Sequence, residues 1–372
     1  MSNCRHLLNM TDEVGMLQFS RGGTPDPRSG YTLDDNARAL LVALNMGEKA
    51  YPYAYRYMKF LAQAQRPDGS WSNFLLDGQY YSRFDSEDSI GRAILACSMA
   101  TRSEWPDIAA LASRLIITKL AYLPGFSSPR AIAYALVGLC QGKIPCTDKH
   151  LHELVNKLSG ALMSLYGKNR SRDWMWFEDY LTYCNGILPQ ALFCVYSFNG
   201  DKKCLKIAHE SLNFLNGIVF STGYLNIIGN EGWYHRGGRA PLFDQQPVDA
   251  ASIAFACREA YQNLGKQEYL QLANLAWQWY EGKNIHGLPL YNENTGGCHD
   301  ALTPDGVNQN QGAEAVLSLL LTELLMEGSI SSKLDYELKV NKASQKICYF
   351  YRDVTPKLCE TCHCLSCTSS NG

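Results

Sequence analysis

Six segments of this chain are apolar on nearly every side, and each begins with a polar or acidic cluster: LDDNARALLVAL, SEDSIGRAILACSMA, SPRAIAYALVGLC, YCNGILPQALFCVYSF, QPVDAASIAFACREAY and NQGAEAVLSLLLTELL. A helix without a polar face must be surrounded by other structure. The polar heads, anchored at Asp34, Asp88, Arg130, Asn185, Asp249 and Glu314, fall 54, 42, 55, 64 and 65 residues apart. That spacing leaves room for one helical hairpin per interval. Between them lie segments with a single apolar face, among them YAYRYMKFLAQAQ, DIAALASRLIITKL and CLKIAHESLNFLNGIV, and the opening CRHLLNMTDE supplies one more. Six buried helices alternating with six one-faced helices predict an all-α fold, an (α/α)6 toroid. An open α-solenoid is the alternative. Six different polar heads favour a ring that converges on one place.

The toroid is expected to occupy residues 1–330 as the catalytic domain. Residues 331–372 form a polar extension whose end packs Cys359, Cys362, Cys364 and Cys367 around His363. Four thiolates can hold zinc or an iron–sulfur cluster, but four ligands within nine residues are cramped for one tetrahedral ion. No cofactor is expected.

Other classes are excluded by bulk properties. A formal net charge of -2 over 372 residues gives no footprint for nucleic acid or an anionic membrane. No apolar stretch reaches the ~18 residues of a membrane span, and the first residues lack the apolar core of a secretory signal. Fourteen cysteines at irregular spacings, many within apolar runs, read as buried thiols of a cytoplasmic protein.

In a ring whose inner helices share one polarity, their heads and the preceding loops meet at one mouth. A lone acid at a helix start is ordinarily a cap; six polar heads in one funnel call for another reason. The loops add flat rings, amides and arginines suited to sugars, with their apolar C–H faces and rims of hydroxyls. Trp71 lies in PDGSW, and Trp174 and Glu178 precede Asn185. Trp233, His235, Arg239, Asp244, Gln245 and Gln246 lie in NEGWYHRGGRAPLFDQQPVDA. Trp277 and Trp279, on an outer helix, read as packing.

The segments HLLNMTDEVGMLQFS, GYTLDDNARALL, SEDSIGRAIL and HRGGRAPLFDQQPVDAAS resemble a bacterial family of six-hairpin glycosidase-like toroids. Its members are often labelled glycosyltransferase-like and occur alone or attached to glycosyltransferase domains. The resemblance implies the toroid fold, a role in carbohydrate metabolism and possible association with a glycosyltransferase. The chain has no sign of a nucleotide-sugar-binding Rossmann pair.

The leading expectation is a glycoside hydrolase acting on an oligosaccharide or glycan through two carboxylates. One protonates the glycosidic oxygen and the other activates water or attacks directly. Asp35, Asp88 and Asp249 are the catalytic candidates, with Asp88 as acid, Asp249 as base and Asp35 orienting water or a hydroxyl. Asp34, Glu87 and Glu314 stand beside them at the heads. Arg38 and Arg92 lie four residues after Asp34 and Asp88, a spacing that pairs each with its own helix's acid. The alternatives are a catalytically silent glycan-binding toroid, an isoprenoid cyclase, or a sugar epimerase or isomerase. The last commonly needs a histidine base, for which only His235 is placed.

Overall fold

The computed structural model describes residues 3–83 and 86–328; the cysteine-rich tail lies outside the described residues. Twelve α-helices follow one another among them: α1 (Arg5–Asn9), α2 (Leu33–Ala43), α3 (Tyr51–Ala64), α4 (Glu87–Ala100), α5 (Pro106–Leu120), α6 (Pro129–Gln141), α7 (Asp148–Asn169), α8 (Ile187–Asn199), α9 (Lys202–Val219), α10 (Pro247–Leu264), α11 (Gln267–Gln278) and α12 (Ala313–Met326). The even-numbered helices form the inner layer. Each packs on the next, and α12 packs back on α2 and closes the ring. The odd-numbered helices lie outside, each against an inner helix. This is the (α/α)6 toroid.

The two layers differ as their sequences require. In α6 every residue from Arg130 to Cys140 is buried, whereas α3 buries Ala54, Tyr57, Met58, Phe60, Leu61 and Ala64, one stripe at helical spacing. Small residues let the inner helices crowd together. A Cβ on Gly91 of α4 would sit 2.8 Å from the Ala131 Cα of α6, and one on Gly186, ahead of α8, 2.3 Å from the Ser252 carbonyl oxygen of α10. Side chains larger than hydrogen do not fit at either place. The nine described cysteines are free thiols, seven of them buried.

Connections from inner to outer helices are short: 44–50, 101–105, 142–147, 200–201 and 265–266. Those leading into the inner helices hold all the short strands. Tyr31–Thr32 pairs with Phe74–Leu76, which pairs with Gln79–Tyr81, and Tyr180–Leu181 pairs with Tyr234–His235. The elaborated loops therefore gather at the N-terminal ends of the inner helices. No helix among the described residues is long and apolar enough to cross a membrane.

Candidate active site

Contacts link the inner-helix heads from α12 through α2, α4, α6 and α8 to α10. Arg38 of α2 is the first junction. Its Nη1 donates to Asp34 Oδ2 at 3.1 Å and Asp35 Oδ1 at 2.8 Å, and its Nη2 donates to Glu314 Oε2 of α12 at 2.5 Å. On α4, the Arg92 Nη1 lies 3.9 Å from Asp34 Oδ2, and its Nη2 donates to Cys184 Sγ at 3.5 Å. Its guanidinium rests 4.7 Å from the Tyr134 ring centre. On α6, Arg130 donates to Tyr183 O at 2.7 Å, Glu178 Oε2 at 2.9 Å and Asn185 Oδ1 at 3.3 Å.

The turn before α8 ties these together. Tyr183 donates its hydroxyl to Asp88 Oδ2, and its ring lies within reach of both Arg92 and Arg130. Cys184 adopts a left-handed backbone, φ 47°, and donates its N–H to Asp249 Oδ1 at 2.6 Å. A non-glycine residue held there carries strain that the surroundings must over-determine. One short turn thus binds acids from α4 and α10 and arginines from α4 and α6.

Electrostatics separate the acids. Asp249 is 4% exposed, and among the described residues its carboxyl accepts one hydrogen bond, from the Cys184 N–H. Burial pushes its carboxyl up to about 8 against that amide's downward pull, with Glu314 adding to the rise. That direction favours a proton donor at this position, where the sequence expectation is a base. For Asp34, burial opposes ionisation, but Arg38 and Arg92 outweigh it and hold the carboxyl below the ordinary range. Burial, and then the Asp34 charge beside it, push Asp35 up. Acids displaced in opposite directions within one site are the arrangement that divides proton donor from proton acceptor.

Several expectations are corrected at this level. Asp34 and Asp35 do not cap α2. Thr32 does, accepting the Asp35 N–H at 3.3 Å while donating its hydroxyl to Asp35 Oδ2 at 2.6 Å. Glu87 leaves its own helix and accepts the Ser127 and Ser128 N–H groups at the start of α6. Arg92 does not pair with Asp88, whose oxygens are taken by the Ser128 and Tyr183 hydroxyls; it turns to Asp34 and Cys184 instead.

The loop residues divide. Trp71 is 3% exposed, with its indole N–H donating to Leu61 O. Trp174 is equally buried, donating to Glu178 O and packing edge-on against Phe214 and Tyr234. Gln245 is fully buried; its amide donates to Asn226 and Leu242 and accepts from Trp279. These three serve packing, not the mouth. Trp233 is half-buried, 6.2 Å from the Tyr183 ring. His235 and Arg239 are exposed, and Asp244 and Gln246 are half-buried. Arg130, Tyr183 and Cys184 were missed as site residues. Among the described residues no group of three or more His, Cys, Asp or Glu is arranged to hold a metal.

No protein-family profile matches the chain, and no curated protein is significantly similar to it. Solved structures share its fold. A sugar epimerase from a ruminal bacterium is 13% identical with a TM-score of 0.66, over 87% of this chain and 95% of its own. Cellobiose 2-epimerase from Spirochaeta thermophila is 15% identical with a TM-score of 0.65, over 89% and 93%. An inactive variant of an α-1,6-mannanase from Salegentibacter, with two adjacent aspartates changed to asparagine and α-1,6-mannotriose bound, is 12% identical with a TM-score of 0.57, over 88% and 96%. At these identities the likeness is one of fold.

Proposed function

We propose that the chain is a sugar-processing enzyme that hydrolyses a glycosidic bond at the toroid mouth. The observation that carries this reading is a buried Asp249, its carboxyl pushed up to about 8, in the same ring of contacts as an Asp34 that Arg38 and Arg92 hold below the ordinary carboxylate range. Asp249 donates its proton to the leaving glycosidic oxygen. Asp34, whose side chain is 21% exposed, acts on the other side, either activating water or attacking the anomeric carbon. Arg38 and Arg92 keep Asp34 charged, and the turn at Tyr183–Cys184 fixes Asp88 and Asp249. Asp35, held by Thr32 and Arg38, positions its neighbour. The mannanase inactivated at two adjacent aspartates offers a parallel to the adjacent Asp34 and Asp35.

The epimerases of the same fold favour a second reading, inversion at the carbon beside a reducing sugar's carbonyl. That reaction needs a base that removes a carbon-bound proton. The ring of contacts described here holds carboxylates and arginines, and His235 stands exposed on the rim against Tyr180. A glycosyltransferase partner gains no support from the compared structures.

Proton NMR of the purified chain with a panel of neutral oligosaccharides separates the readings. Hydrolysis is expected to produce new reducing-end anomeric signals. Conversion of the reducing sugar to its C2 epimer without chain shortening would replace hydrolysis with the second reading. No change in any sugar would leave a silent binder.

A further inference from the structure

We infer that the mouth selects uncharged sugars and rejects uronic acids and sugar phosphates, an inference that rests on the sugar-processing reading above. Recognition of a carboxylate or phosphate needs a cation whose charge is not already balanced, best a planar guanidinium fork. Among the described residues, three buried arginines take part in these contacts, and each has a carboxylate of the site within 4 Å. Arg38 divides its two Nη atoms among Asp34, Asp35 and Glu314. Arg130 has all three nitrogens occupied, by Tyr183 O, Glu178 and Asn185. Arg92 lies against the Tyr134 ring, with one Nη on Cys184 Sγ and the other turned to Asp34.

The charge count leans the same way. Asp34, Asp35, Asp88, Glu178, Asp249 and Glu314 give six carboxylates against those three guanidiniums. The side chains most open to an incoming ligand are acidic: Glu314 at 42% and Asp34 at 21%. Ionised carboxylates are acceptors only. They suit the hydroxyl rim of a neutral sugar and repel a second anion. Arg236 and Arg239 are exposed in the loop before α10, and Arg236 Nη1 is turned to Asn169 O at 3.2 Å.

The test is a calorimetric titration of the full-length chain at pH 7 and low salt. The ligands are matched triplets: a neutral oligosaccharide, the same sugar with one C6 hydroxyl oxidised to a carboxylate, and the same sugar phosphorylated at C6. The anionic members are expected to bind ~100-fold more weakly than their neutral match, the scale of a like-charge juxtaposition. Glu314→Gln, which removes one exposed negative charge, is expected to narrow that gap by ~10-fold. An anionic sugar that binds as tightly as its neutral match would overturn the charge selection and leave the sugar-processing reading standing. Binding of no member of any triplet would overturn both.

Discussion

Asp249→Asn is expected to lower turnover of a natural glycosidic substrate by about 10³-fold, within the range attributed to a positioned general acid. The side chain keeps its shape and can still accept the Cys184 N–H, so folding and substrate affinity should hold while proton donation is lost. A substrate whose leaving group needs no proton, such as a nitrophenyl glycoside, should lose much less. The pH profile carries the same signature. With burial pushing the Asp249 carboxyl up to about 8, wild-type activity should fall as pH rises through about 8, and residual activity of the variant on the activated substrate should lack that limb. The stability consequence has a definite sign. Between the ordinary carboxylate value and about 8, the folded state holds a proton that the unfolded chain releases. Asp249 therefore makes stability decline with rising pH, and the asparagine variant lacks that contribution. Retention of near-full activity on the natural substrate would remove Asp249 from the chemistry.

Arg38→Met should be the most damaging single change to the fold of the site. It strips the guanidinium from Asp34, Asp35 and Glu314 together, and Arg38 is 5% exposed. Removing one partner of a fully buried ion pair costs about 3–5 kcal/mol; with Glu314 42% exposed and Arg92 still beside Asp34, about 3 kcal/mol is expected here. Against a typical net stability of about 5–15 kcal/mol, that is a large share. Denaturant unfolding of the two proteins at neutral pH measures it. The gap should shrink as pH falls through the depressed folded value of Asp34, since its ionised form is what Arg38 stabilises. A change under about 1 kcal/mol, the size of an exposed pair, would mean that the cluster is effectively solvated.

The architecture was legible because its signal is local. Ala-rich runs without a polar face, alternating with one-faced helices, can satisfy burial only as two layers, and Gly91 and Gly186 mark where inner helices meet. That the heads converge also followed from shared polarity, and Asp34, Asp35, Asp88, Asp249 and Glu314 do meet through Arg38, Arg92 and the Tyr183–Cys184 turn. Pairings between helices were not legible. The i, i+4 rule gave Arg38 its Asp34 but assigned Arg92 to Asp88, because the Tyr183 and Ser128 hydroxyls that take Asp88 come from elsewhere in the chain. The same holds for the tryptophans. PDGSW turns Trp71 inward onto α3, while the half-buried Trp233 comes near Tyr183, and no feature of the loop sequences separates the two. Cys184 escaped notice because its contribution is a backbone N–H aimed by a left-handed φ, which the residue type does not announce.

The central claim is that one mouth, formed by the inner-helix heads, holds a sugar between Asp249 and Asp34. Crystals of the Asp249→Asn protein soaked with a neutral oligosaccharide test it most directly. The account predicts a sugar at that mouth, with a glycosidic oxygen within hydrogen-bond reach of the substituted side chain and the Asp34 carboxylate facing the anomeric carbon. A sugar bound on the outer helices, or at the opposite end of the ring, would contradict it.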